Sequence, residues 1–260
     1  GSRSVSDEVR IIPLEAFSDL PPSPQGATLI FIPYRQCDPG ELEVLGRFVM
    51  DGGTLLLADD FGWGNQVLQH LGIKARFSGQ ALLDPLFHYK NRWFPRVDCA
   101  AGDSLTVGLE HLTLNHATAL EGVFPASVLA TSSSFSFLDS NGNQVADEGE
   151  PTGRQVVMSR QAVGRGQVVL LADPCVFISS MLEYGENLNL VRNIAAASPA
   201  GLYFDQSHIV TSNLSKTKDR LCALREITFI PPVALALVMV ILAVTLAPVW
   251  YFGGKKRKGE

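Results

Sequence analysis

Apolar and polar positions change period several times along the chain, and each change marks a predicted element. "ATLIFIPY" (27–34) is a short aliphatic run between polar segments, which predicts a buried strand. In "DPGELEVLGRFVMDGG" (38–53), Leu42, Leu45, Phe48 and Val49 recur at helical spacing behind an acidic first turn, and a double glycine follows, so this stretch predicts a capped helix. "TLLLADD" (54–60) predicts a second buried strand ending in carboxylates, "GNQVLQHLGI" (64–73) a helix closed at Gly72, and "KARFSG" (74–79) a short edge strand. Residues 80–130 show no regular period. The runs flanking "VGRG" (163–166) predict a hairpin whose second arm ends at Asp173, a helix is predicted over 187–197, and "GLYFDQSHIV" (201–210) is strand-like. Strands apolar on both faces that alternate with helices predict an α/β fold, a mostly parallel sheet covered on both sides.

The last apolar run is longer than any core element needs. "ITFIPPVALALVMVILAVTLAPVWYF" (227–252) contains no charged residue. At about 1.5 Å per residue, Pro232 to Phe252 spans about 30 Å, the thickness of a hydrocarbon core. It predicts one C-terminal transmembrane helix in the lipid bilayer, with Trp250 and Tyr251 in the aromatic belt and Lys255, Lys256, Arg257 and Lys258 at the surface beyond. The positive-inside rule then predicts a single-pass protein of the cell membrane, its C-terminus cytoplasmic and its domain outside. The expected organisation is an N-terminal lead-in (1–25), an exterior α/β domain (26–210), a juxtamembrane linker (211–226), the span (227–252) and a basic tail (253–260). Such a topology requires a signal peptide or an earlier span; the polar "GSRSVSDEVR" shows neither and reads as a processed start or a cloning remnant.

This placement changes what composition means. The 46% hydrophobic fraction owes much to the terminal run. Of the net charge of −5, the tail contributes four positive charges and one negative, which leaves −8 on the remainder. An exterior so acidic argues against a nucleic-acid partner and for cations. Cys37, Cys99, Cys175 and Cys222 would face an oxidising compartment, where three disulfide pairings are open, and their spacing makes no metal or redox motif.

Four groups of residues carry candidate chemistry. "DSNGNQVADEGE" (139–150) supplies oxygens at Asp139, Asn141, Asn143, the Val145 carbonyl, Asp147 and Glu150, the spacing at which a curling loop surrounds Ca²⁺. Gln144 stands where such loops prefer glycine. Between strand-like flanks this predicts a structural staple; without an ion it is a polar turn. The strand-end carboxylates Asp59, Asp60 and Asp173 fall at the carboxyl edge of the predicted sheet, where α/β folds bind ligands, and can also serve as caps. Asp205 and His208 are three apart, so the acid orients the imidazole only if the chain turns there. "FHYKNRWFPR" (87–96) interleaves Tyr89, Lys90, Arg92 and Trp93 into a candidate partner surface.

"PGELEVLGRFVMDGGTLLLADD", "VGRGQVVLLADPCVF" and "YFDQSH" together resemble a family of membrane-anchored domains of unknown function with a class I glutamine-amidotransferase-like fold, often encoded beside MoxR-type AAA+ ATPases. The resemblance covers residues 26–210 and the terminal span, and implies a three-layer flavodoxin/amidotransferase-like sheet and a place in an envelope assembly system. In that fold a cysteine occupies the elbow after the strand; here Asp59, Asp60, Phe61 and Gly62 follow "TLLLA", with no cysteine or serine. The expected role is therefore a non-catalytic binding or scaffold subunit among other envelope or membrane protein subunits. The alternatives are an auxiliary subunit of an ABC-type transporter, or a hydrolase working through the sheet-edge carboxylates.

Overall fold

A computed structural model describes residues 11–208 of the chain. In chain order the elements are β1 (Ile11–Leu14), β2 (Ala27–Phe31), α1 (Pro39–Met50), β3 (Thr54–Ala58), α2 (Asn65–His70), β4 (Arg76–Phe77), β5 (Ala81–Leu83), β6 (Arg96–Cys99), β7 (His111–Thr113), β8 (Leu120–Glu121) and β9 (Val128–Thr131). They continue with β10 (Phe137–Asp139), β11 (Val156–Val163), β12 (Gly166–Leu171), α3 (Ser179–Leu182), α4 (Asn187–Ala196) and β13 (Gly201–Asp205).

The elements predicted from long apolar runs form because local chemistry and burial agree. The helix α1 starts at a capping box: Asp38 accepts from the Glu41 amide, Glu41 accepts from the Asp38 amide, and Pro39 takes the first helical position. Its inner face buries Leu45, Phe48 and Val49, each worth about 1.5–3 kcal/mol when fully withdrawn from water. Gly53 allows the turn into β3 to pass under Phe48, because a Cβ there would stand 2.5 Å from the ring.

One sheet runs in the order β1-β13-β2-β3-β12-β11-β9-β6-β7, with β8 bridging β11 and β4. The first five strands are mutually parallel. From β12 onward every pairing is antiparallel. A separate pair, β5 and β10, carries the acidic loop at its end. The chain moves from β2 to β3 in one direction and returns from β12 to β13 in the other, so by the right-handed rule α1 and α4 cover opposite faces.

This corrects the expected fold class. The sheet is mixed, not the mostly parallel sheet of a flavodoxin/amidotransferase-like fold, and helices are few. The difference arises in residues 80–130, whose strands of two to four residues are too short to show a period, and in β11, which pairs antiparallel with β12 through the predicted hairpin. The sheet also takes in residues ahead of 26, since Ile11–Leu14 pairs with β13. Among the described residues no helix is long and apolar enough to cross a membrane, and the predicted span, with Trp250, Tyr251, Lys255, Lys256, Arg257 and Lys258, lies outside them.

Candidate functional site

The carboxyl edge of the parallel strands brings Asp59, Asp60 and Asp173 into mutual electrostatic reach, with Tyr34 and Cys175 beside them. Their environments separate their roles. Asp59 is buried, and its oxygens accept from the amides of Phe61 (2.9 Å), Gly62 (3.1 Å) and Gly64 (2.6 Å), which shapes the turn into α2. Asp173 is equally buried and accepts from the amides of Cys175 (2.7 Å) and Asn115 (2.6 Å). Both act as caps. Burial still outweighs those donors at Asp173 and pushes its carboxyl up to about 7. Asp60 is only half-buried; burial first, then the charge of Asp59, pushes it up to about 6. The Cys175 thiol is pushed up to about 12 by burial and by Asp173, so it is a protonated packing group and a poor nucleophile. Cys37, Cys99 and Cys175 are all free.

The acidic loop closes on itself through its own side chains. Asp139 is buried and accepts from the amides of Gly142 (2.7 Å) and Gln144 (2.9 Å). Asn141 accepts from the Asn143 amide and Asn143 from that of Val145, both through side-chain oxygens. Asp147 receives the side-chain amides of Asn141 (2.7 Å) and Asn143 (2.6 Å). Glu150 reaches back to the Ser140 amide at 2.8 Å, and such donors hold its carboxyl below the usual range. Gln144 adopts φ +64°, the left-handed conformation in which glycine costs least.

The basic-aromatic run stands beside this loop. Arg92 donates to the Gln144 carbonyl. Tyr89 packs on Tyr184 with ring centroids 4.4 Å apart, Lys90 sits over both rings, and Trp93 stacks on His116 at 4.8 Å. A cavity of about 260 Å³ opens nearby, lined by Phe87, Arg96, Asp98, His111, Phe135 and Arg154 among others. The spacing of those residues in the sequence does not predict it.

The chain does turn at Asp205. That carboxylate accepts from Ser207 and from the His208 amide (3.3 Å), and its Oδ2 lies 2.8 Å from His208 Nδ1. The imidazole is enclosed, stacked on Phe17 and edge-on to Phe31. Two residues that sequence spacing does not connect to it, Cys37 and Glu41, also converge there. Only the pairing of β13 beside β2 brings them together, and no local motif could have signalled it.

Among solved structures, the mmIFT52 N-terminal domain is 15% identical, with a TM-score of 0.47 over 64% of this chain and 76% of that one. A beta-galactosidase from Bacillus circulans sp. alkalophilus is 14% identical, with a TM-score of 0.40, and the chain spans only 22% of its length. A beta-galactosidase from Rahnella sp. R3 is 13% identical, with a TM-score of 0.39 and again 22% of its length covered. No curated protein matches the chain. Residues 5–195 match the family described as "Domain of unknown function (DUF4350)", which covers most of the chain, and the protein belongs to that family.

Proposed function

We propose that the protein is a membrane-attached binding or scaffold subunit of a cell-envelope complex, contacting its partner through the carboxyl edge of the parallel strands. The observation that carries this reading is the division of labour among the edge carboxylates: Asp59 and Asp173 spend their oxygens on the amides of other residues, while among the described residues half-buried Asp60 is bonded only to its own amide and has oxygen to offer a donor from outside. Phe61, 68% exposed beside it, offers an apolar contact to the same partner. Attachment to the bilayer is assigned to residues 227–252 on their hydropathy alone. A photoreactive residue in place of Phe61, in the full chain in native membranes, is expected to give one defined cross-linked envelope protein that disappears in Asp60→Arg. No product, or a product indifferent to that substitution, overturns the reading.

A second reading rests on Asp60 and Asp173 having carboxyls near 6 and 7, the range useful to a general acid or base. Hydrolysis of an ester or glycoside panel that falls at least tenfold in Asp60→Asn would favour it.

The acidic loop we assign to structural Ca²⁺, held by Asp139, Asn141, Asn143, the Val145 carbonyl, Asp147 and Glu150, since its oxygens are gathered by a backbone already curled at Gln144. Calorimetry of the full chain against calcium is expected to give one site, lost in Glu150→Ala. Absence of heat in the wild-type chain sinks this assignment.

A further inference from the structure

We propose that Cys37, Glu41 and His208 form a buried zinc site, with Asp205 as the residue that orients the imidazole. One ligand atom from each of the three lies within 4.8 Å of the others. A tetrahedral zinc with bonds of about 2.0–2.3 Å holds its ligands about 3.5 Å apart, so small side-chain rotations complete the set. Water or a partner group would take the fourth position.

The imidazole points to a cation independently of that proximity. Its side chain has no exposed surface. Asp205 Oδ2 lies 2.8 Å from Nδ1, so Nδ1 is engaged there and Nε2 is the ring nitrogen turned toward Cys37 and Glu41. Nε2 finds no hydrogen-bond partner among the described residues. It faces Glu41 Oε1 at 3.2 Å, within ion-pair reach. An imidazole nitrogen, a carboxylate oxygen and a thiol thus meet at one point, the ligand types that a zinc ion takes. A carboxylate behind a ligating histidine is the usual second partner of such sites.

The frame around the site is rigid. Gln66 donates to the Cys37 carbonyl and accepts from its amide, both at 3.0 Å, which fixes the backbone that carries the thiol. Glu41 is held by the capping box of α1, and Arg35 pairs with it from the solvent side. That side is the access route, because the Arg35 and Glu41 side chains are 49% and 19% exposed. Without metal, burial and then the Glu41 charge push the Cys37 thiol up to about 12, which disfavours a free thiolate nucleophile; a bound cation reverses that balance and releases the proton.

The test uses the full chain in detergent micelles, stripped with chelator and reloaded with zinc or cobalt alone. About one equivalent of zinc should survive desalting, and cobalt should give a thiolate charge-transfer band with the intense visible bands of a tetrahedral ion. Both should vanish in Cys37→Ser and His208→Gln and persist in Cys99→Ser and Cys175→Ser. Asp205→Asn should weaken retention about 10–100-fold. Should the ligand variants fail to fold, zinc protection of wild-type Cys37 from maleimide decides the matter, with at least tenfold slowing expected. A folded wild-type chain that retains no metal and shows no protection overturns the proposal, as does a cobalt band that persists in Cys37→Ser. Rapid alkylation of Cys37 near neutrality, indifferent to zinc and lost in Asp205→Asn, would reassign the group as a cysteine nucleophile.

Discussion

Asp60 keeps its proton up to about 6 because burial and the Asp59 charge both oppose its ionisation. The unfolded chain releases that proton near 3.8, so the stability Asp60 contributes is complete below that pH and is lost as the pH rises through about 6. Asp60→Asn stays neutral throughout. It is expected to match wild type at pH 4 and to exceed it by about 1 kcal/mol at pH 7, after allowance for solvent screening of a half-exposed group. Thermal unfolding at both pH values measures this, and an equal difference at both would refute the assignment. At Gln144 the strain lies in the backbone: φ is +64° in a residue with a Cβ. Gln144→Gly should therefore stabilise the chain by about 0.5–1 kcal/mol in urea denaturation. Individual residues were legible where chemistry and position coincide, as at Asp139 and Gln144. They were not where environment decides, since nothing in the letters "DD" separates Asp59, bound to the loop amides, from the freer carboxylate of Asp60.

The helix α4 is joined to the antiparallel half of the sheet by one buried side chain. Asn187 accepts from the Thr113 amide and donates to the carbonyls of Thr113 and Met181. Asn187→Ala leaves those buried groups without their partner and should cost about 2–3 kcal/mol; the shift in the denaturation midpoint, at unchanged slope, is the measurement. Among elements, those with long apolar runs and clear stops, α1, β2, β3 and β12, could be read directly. The short strands β5 to β9 could not, because two to four residues hold barely one period and are fixed by partners distant in sequence, such as β9 on β6 and β11.

For the molecule as a whole, strand order sets the distribution of stability. β3 and β12 lie inside the sheet, flanked on both sides and fully apolar at their centres, whereas β7 closes one edge. Hydrogen exchange read by mass spectrometry should find the slowest amides in β3 and β12 and faster exchange in β4 and β7; uniform protection would contradict it. The mixed sheet was not legible because apolar strands announce burial but not direction, and the parallel block could not reveal that antiparallel strands extend it. The convergence on His208 was equally hidden, since it depends on β13 returning beside β2.

The position of β13 between β1 and β2, parallel to both, has a mechanical consequence. The chain leaves this strand at Asp205 and turns at Ser207 and His208. Tension applied to the following segment along the strand axis loads two rows of hydrogen bonds in shear, so they must yield together and cannot unzip singly. A strand anchored in this way resists detachment from its own domain.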